Sequence, residues 1–120
     1  MIVAIDHVQL AAPPECEPEA RHFFAEVVGL EEIAKPPALQ PRGGVWFRCG
    51  DQELHVGVQP DFEPARKAHP AFRVRGLERL RGRLEAAGLT TIEDGADIAG
   101  VRRFYTNDPW GNRLEFMEAA

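Results

Sequence analysis

The sequence predicts an α+β fold built from two tandem β-α-β-β-β modules. Three observations support this prediction. Apolar and polar residues alternate with the period of half-buried strands in several segments. Two other segments show the apolar spacing of a helix, and each ends at a glycine. The two helix ends share an apolar–Gly–Leu–x–x–Ile pattern, at residues 28–33 and 87–92, which indicates a duplicated unit.

Module one is predicted over residues 1–59 of a single domain that spans residues 1–120. Its first strand covers residues 2–10 and ends before Pro13 and Pro14. Phe23, Phe24 and Val27 lie on one face of a helix predicted over residues 17–28, and Gly29 ends that helix. A short strand at residues 31–35 and a loop rich in proline and glycine follow. Residues 45–49 and 53–58 then form a hairpin.

Module two is predicted over residues 69–118 and repeats this order. A strand at residues 69–74 precedes a helix over residues 77–87, which Gly88 ends. Strands at residues 89–93 and 101–106 come next. The stretch Asp108-Pro109-Trp110-Gly111 is typical of a β-turn, because proline presets φ at its second position and glycine suits its last. The final strand follows this turn, with Leu114 and Phe116 on the opposite face from Glu115.

Composition limits the classes of function. The chain carries a net charge of −5, which argues against nucleic-acid binding. We expect its local basic run to be a solvated helix face; this run comprises Arg73, Arg75, Arg79, Arg81 and Arg83. Cys16 and Cys49 lack metal-type spacing and are expected to be free thiols. The sequence shows no leader and no apolar run near the ~18 residues of a membrane span, so we expect a cytosolic protein with no membrane partner.

Three of the four histidines fall at similar places in the predicted strands. His7, His55 and His69 each lie on the polar phase of a strand whose other phase is apolar. Glu115 has the same setting in the last strand. Each module therefore carries one candidate ligand on its first strand and another on its last.

The chain resembles the vicinal oxygen chelate superfamily, which includes glyoxalase I and the bleomycin-resistance proteins. Four stretches carry the resemblance, and together they span most of the chain: residues 5–8, residues 23–30, His69, and the closing Asp-Pro-Trp-Gly-Asn-Arg-Leu-Glu-Phe at residues 108–116. The resemblance implies a cup-shaped mixed sheet with helices outside. It also implies a homodimer, with the cup built within one chain or shared between two.

The resemblance further implies a metal site with His7, His55, His69 and Glu115 as ligands. Imidazoles and one carboxylate suit a borderline divalent cation, Zn, Fe, Mn, Ni or Co, better than Ca or Mg. His7, His69 and Glu115 would leave open positions for two substrate oxygens. The metal would then act as a Lewis acid towards a small, oxygen-rich substrate.

The chain departs from glyoxalase I at residue 55, where that resemblance calls for a glutamate that is both ligand and proton-transfer base. A histidine can serve in either role, so His55 and Glu115 are the predicted catalytic residues. The resemblance favours an enzyme but leaves the reaction open among a glyoxalase-like lyase or isomerase, a thiol transferase and a dioxygenase.

Further residues on the polar phase of the strands are candidates for substrate contact. Arginines in a cup would favour an anionic substrate. The candidates are Gln9, Trp46, Arg48, Arg103 and Tyr105. The alternative function is a metal-free protein of the bleomycin-resistance type, which sequesters a ligand or drug.

Overall fold

The computed structural model describes residues 1–119 and divides into two compact units, one ending at Pro64 and the other beginning at Ala65. The first unit contains strands β1 (His7–Ala12), β2 (Glu31–Ile33), β3 (Val45–Cys49) and β4 (Gln52–Val58). Its helix α1 begins as an α-helical turn, Glu17–Ala20, and continues as a π-helical stretch, Arg21–Val28; a 3₁₀ turn covers Gln40–Arg42. The second unit contains β5 (Ala71–Arg73), helix α2 (Leu77–Ala86), β6 (Val101–Asn107) and β7 (Arg113–Ala119).

The first unit is a mixed sheet with strand order β1-β4-β3-β2. β1 and β4 are parallel, and the other neighbours are antiparallel. Because side chains alternate across a strand, one face of the sheet collects the apolar residues. Phe47, Leu54 and Val56 on that face are almost fully buried. The Phe24 ring of α1 lies 5.6 Å from that of Phe47, so α1 packs on this apolar face and the polar phase faces the other way.

Within residues 65–119, the sheet of the second unit has three strands in the order β5-β7-β6, compared with four in the first unit. β5 runs parallel to β7, and β6 runs antiparallel to it. The rings of Phe72 and Phe104 lie 5.3 Å and 5.7 Å from that of Phe116. The Arg81 guanidinium of α2 sits 4.6 Å above the Phe104 ring, so α2 covers the apolar face of this sheet too. Burying each such apolar side chain stabilises the fold by about 1.5–3 kcal/mol.

The turn between β6 and β7 is held by a buried carboxylate. Asp108 accepts hydrogen bonds from the backbone N–H groups of Trp110 and Asn112, at 3.0 Å and 2.9 Å, and from the Asn112 side-chain amide at 2.8 Å. The Asn112 Oδ1 atom in turn accepts the Ala65 N–H at 3.0 Å. Burial raises the pKa of Asp108, and the donated hydrogen bonds oppose this shift. The closing motif therefore fixes the register that places Tyr105 opposite Glu115.

Both helices end at the glycines expected from sequence. Gly29 and Gly88 adopt left-handed φ values of 96° and 87°, which cost glycine little because it lacks a Cβ. The start of α2 has no local side-chain cap. Instead, Glu118 of β7 accepts the Gly76 and Leu77 N–H groups at 2.5 Å and 3.3 Å. It also pairs with Arg102 at 2.6 Å, so β7 supplies the cap of α2.

The structure confirms the α+β class and its mixed sheets and corrects three predicted strands. The first strand begins at His7, not residue 2, and the residues before it are exposed. The strand predicted at residues 89–93 is wrong, because only an isolated bridge from Ile92 to Tyr105 forms there. His69 precedes its strand, which begins at Ala71.

Both cysteines are free, as predicted. No helix within residues 1–119 has the length and apolar character needed to span a membrane.

Replacing Glu118 with Gln should weaken the cap of α2. The N–H groups of Gly76 and Leu77, with Arg102 nearby, hold the pKa of Glu118 below its ordinary value of 4.5. Such a group stabilises the fold above its unfolded-state pKa, and this stabilisation is lost as pH falls through the folded-state pKa. Urea unfolding should therefore show a lower free energy of unfolding for the variant at neutral pH, with the difference disappearing in acid below 4.5. The exposed Glu63→Gln change is the control; equal pH dependence in both variants would contradict the assigned cap.

Candidate functional site

The polar face of the first unit gathers three of the predicted site residues in one row. The register of β1, β4 and β3 places Gln9 opposite His55 and His55 opposite Trp46. The Trp46 and His55 rings stack at 3.7 Å with an angle of 4° between their planes. The His7 ring stacks on the other side of His55 at 4.1 Å and 18°. His55 is thus sandwiched between two rings and only 3 % exposed.

Each histidine of the first unit makes a hydrogen bond to a neighbouring carboxylate. His7 Nδ1 lies 2.9 Å from Asp6 Oδ2, and His55 Nε2 lies 2.9 Å from Glu53 Oε1. A carboxylate accepts hydrogen bonds, so it selects the tautomer in which the facing ring nitrogen carries the proton. The lone pair of a neutral ring is then on Nε2 in His7 and on Nδ1 in His55. A second-shell carboxylate of this kind is typical of metal-binding histidines.

The second unit brings its two predicted ligands into direct contact. His69 Nε2 lies 2.9 Å from Glu115 Oε1, and His69 Nδ1 lies 2.9 Å from the carbonyl oxygen of Lys67. The carbonyl can only accept, so Nδ1 carries a proton. In a neutral His69 the Nε2 lone pair then faces a carboxylate oxygen. Two lone pairs at this distance repel each other unless a proton or a cation lies between them.

Glu115 is buried to 7 % exposure and is surrounded by other predicted site residues. Arg103 donates from Nη1 to the Tyr105 hydroxyl at 2.7 Å and to Glu115 Oε2 at 3.4 Å. The Tyr105 ring meets the His69 ring edge-on at 5.3 Å. Arg103 also pairs with Asp94 at 3.2 Å. The carboxylates of Glu115 and Asp94 therefore already balance the Arg103 charge. This supports a role for Arg103 in positioning Glu115 and Tyr105.

Arg48 differs from the other predicted site residues. It shares the polar face of the first sheet but is exposed, and its Nε donates to Glu31 at 3.1 Å. An exposed ion pair of this kind contributes little to stability, typically about 0–1 kcal/mol. Arg48 therefore has a partner already, and the register places it between Glu31 of β2 and Glu53 of β4.

Two residues next to the histidines were missed in the sequence. Asp6 adjoins His7 in the chain, and Glu53 is two positions before His55, on the same face of β4. Both signals were present as short acidic–histidine spacings. Such spacings do not by themselves indicate a functional contact, because they are common on exposed strands.

Each unit thus supplies two of the four predicted ligands, His7 with His55 and His69 with Glu115. Across residues 1–119, no group of three or more His, Cys, Asp and Glu side chains is arranged to hold a metal ion. The meeting of the two pairs at one cation stays a prediction. The donor chemistry fits a metal, because three imidazole lone pairs and one buried carboxylate suit a borderline divalent ion.

Comparison with solved structures decides the family. A glyoxalase family protein from Bacillus anthracis is 52 % identical, covers 100 % of this chain and 98 % of its own, and superimposes with a TM-score of 0.94. The chain belongs to the glyoxalase family of the vicinal oxygen chelate superfamily. No family model and no curated protein matches this glyoxalase family chain.

More distant structures share the glyoxalase family fold. A lactoylglutathione lyase from Agrobacterium tumefaciens is 23 % identical, with a TM-score of 0.74, 96 % of this chain covered and 92 % of that one. The fosfomycin resistance protein FosX from Listeria monocytogenes is 16 % identical, with a TM-score of 0.79, 100 % of this chain covered and 94 % of that one. At these identities the likeness concerns the fold alone.

Proposed function

We propose that the protein is a metal-dependent enzyme of the glyoxalase/dioxygenase superfamily that acts on a small, oxygen-rich substrate. The single observation that carries the proposal is the contact between His69 Nε2 and Glu115 Oε1 at 2.9 Å, with Nδ1 bonded to a carbonyl. A buried carboxylate and an imidazole lone pair that face each other suit a shared cation. The 52 % identical relative is a glyoxalase family protein, which agrees with the proposed enzyme function.

His7, His69 and Glu115 are the proposed ligands of a divalent cation such as Zn, Fe, Mn, Ni or Co. His55 is either a fourth ligand or a nearby base, because its single free lone pair cannot serve both roles at once. Their partners support this role, since Asp6, Glu53 and the Lys67 carbonyl each orient one imidazole. The bound cation would supply Lewis-acid stabilisation of negative charge on a substrate oxygen. The chain's own residues would then bind the substrate, orient it and move its proton.

As a base, His55 is the proposed proton carrier of the site, with Glu115 as the second catalytic group. The Nε2–H of His55 donates to Glu53, which leaves Nδ1 as the atom that can accept a proton. Stacking between His7 and Trp46 fixes the plane of the ring, so Nδ1 is held in one direction. Gln9 and Trp46 lie in the same row and are the proposed substrate contacts on this unit, with Tyr105 as the proposed contact on the other.

The proposal includes a homodimer. Within residues 1–119, β1 pairs with β4 on one side only and forms an edge of its sheet. The residues just before it are apolar and exposed, with Ile2, Val3 and Ile5 at 96 %, 95 % and 63 %. An open edge next to exposed apolar residues favours pairing with another chain. In a dimer, the second chain would also supply its own His7–His55 pair and its own His69–Glu115 pair.

Replacing Glu115 with Gln should lower metal binding. A neutral amide is a poorer ligand than a carboxylate, so we expect the bound divalent metal to fall by at least about tenfold. The fold should persist, because Leu114 and Phe116 form the buried core on either side of Glu115. The measurement is metal analysis of protein purified without a histidine tag, before and after loading with each candidate ion.

Glu118→Gln is the matched control for this measurement, because it makes the same chemical change in the same strand, at the cap of α2. Its metal content should equal that of the wild type. Wild-type protein that binds none of the candidate ions would contradict the proposal and favour the metal-free ligand-sequestering function. Unchanged metal in the Glu115→Gln variant would remove Glu115 from the ligand set.

Light scattering should give a mass about twice the 13.4 kDa of one chain, because a partner is expected on the β1 edge. Replacing Ile2 and Val3 together with Ser should shift the equilibrium towards the monomer, since apolar surface would no longer be buried. A monomeric wild-type protein at micromolar concentration would contradict the dimer.

A further inference from the structure

A cleft lies in the first unit, beside the row that contains His55. Its volume is about 170 Å³. It lies between the loop after β2 and the polar face of the sheet, and its lining includes Gln9, Lys35, Leu39, Arg42, Trp46 and Gly57. Gln9 and Trp46 also flank His55 in the sheet register. The cleft therefore continues directly from the proposed catalytic row.

The loop that walls this cleft is held in place at both ends. Glu17 of α1 accepts the Gly44 N–H at 2.7 Å, and this bond lowers the pKa of its carboxyl group. Lys35 donates from Nζ to the Gly43 carbonyl, and the Gln40 side chain donates to the Lys35 carbonyl at 3.2 Å. A Cβ on Gly44 would lie 2.2 Å from the Val56 carbonyl oxygen. The backbone therefore approaches the sheet as closely as only glycine allows.

The floor of the cleft depends on a second close approach. A Cβ on Gly57 would lie 2.7 Å from the Gln9 Nε2 atom and 2.8 Å from its Cδ atom. The absence of that Cβ lets the Gln9 amide rest on the backbone of β4. The Gln9 amide thus forms part of the cleft lining, next to the half-buried Trp46 ring.

The charge of the cleft is opposite to that of the whole protein. The chain carries a net charge of −5, yet the charged groups on the cleft lining are the cations of Lys35 and Arg42. The Arg42 side chain is exposed and forms no ion pair with any residue in the described range 1–119. Other arginines of this unit, Arg21 and Arg48, pair with Glu32 and Glu31. An unpaired guanidinium beside an ammonium and an amide donor is suited to an oxyanion.

We propose that this cleft binds an oxyanion group of the ligand, such as a carboxylate or a phosphate, with Arg42 as the main contact and Lys35 and Gln9 as further donors. The assignment of this group to the substrate rests on the proposed function, whereas oxyanion binding by the cleft does not. The Trp46 ring, 3.7 Å from that of His55, lines the cleft and also belongs to the catalytic row. A substrate would therefore be a short molecule with an oxyanion at one end and its reacting oxygens at the other.

NMR titration with inorganic phosphate tests the cleft directly. The protein is stripped of metal with a chelator, so that phosphate cannot bind to a metal ion. The sequence contains two tryptophans, and the indole N–H signal of Trp46 should shift and saturate at millimolar phosphate while that of Trp110 serves as an internal reference. Separate titrations with acetate and methylphosphonate identify the preferred oxyanion.

Replacing Arg42 with Ala should weaken phosphate binding about fivefold, as expected for the loss of one exposed charged contact, and Arg42→Lys should retain part of it. Gly57→Ala should also weaken binding without changing any charge, because its Cβ would displace the Gln9 amide. Arg21→Ala, which removes an arginine paired with Glu32, is the matched control and should bind phosphate as the wild type does. Metal content should be unchanged in the Arg42→Ala variant.

The outcomes separate this inference from the proposed function. Trp46 shifts that disappear with Arg42 support the cleft, even if metal analysis finds no cation. No saturable shift of Trp46 in the wild type, or equal affinity in the wild type and Arg42→Ala, would overturn the cleft while leaving a measured metal site intact. Equal weakening by Arg21→Ala and Arg42→Ala would also overturn it, because binding would then follow the general surface charge.

Discussion

One constraint organises each unit: the apolar phase of its strands must face its helix. Phe47, Leu54 and Val56 meet α1 in the first unit, and Phe104 and Phe116 lie under α2 in the second. Because the period of a strand is two, this packing leaves the other phase on the opposite face. A slip of one residue in β1, β4 or β7 would turn His7, His55 or Glu115 into the core. Hydrophobic burial therefore fixes the side of the sheet on which the histidines lie.

The polar face is not simply solvated, and this distinguishes it from an ordinary sheet surface. His55 and Glu115 are 3 % and 7 % exposed. Burying such groups is costly unless their hydrogen bonds are satisfied. Glu53 accepts a hydrogen bond from His55, and Arg103 donates one to Glu115. The facing lone pairs of His69 and Glu115 instead need a proton or a cation between them. A fold that maintains buried ionisable groups on its polar face maintains them at a cost in stability, and such groups concentrate where proteins bind or react.

The sequence allowed prediction of the features that depend on local rules. Alternation placed His7, His55 and Glu115 opposite their apolar neighbours, and the two terminal glycines located the helix ends. Features that depend on tertiary register could not be predicted in this way. The pairing of Glu53 with His55, the Glu118 cap of α2 and the approach of Lys35 to Gly43 each join residues whose proximity follows from the folded chain. The strand expected at residues 89–93 failed for a similar reason, because only Ile92 finds a partner in β6.

The central claim is that the two ligand pairs serve one cation. The most direct test is a crystal structure of the metal-loaded protein with anomalous diffraction measured at the absorption edge of the bound ion. The account predicts an anomalous peak about 2.0–2.2 Å from Nε2 of a His7, Nε2 of a His69 and a carboxylate oxygen of a Glu115, as for a zinc-like ion, with these residues drawn from one chain or from two. His55 Nδ1 should face the same ion or its open positions. A peak bound to other residues, or His69 and Glu115 still in direct contact with no ion between them after loading, would contradict the account.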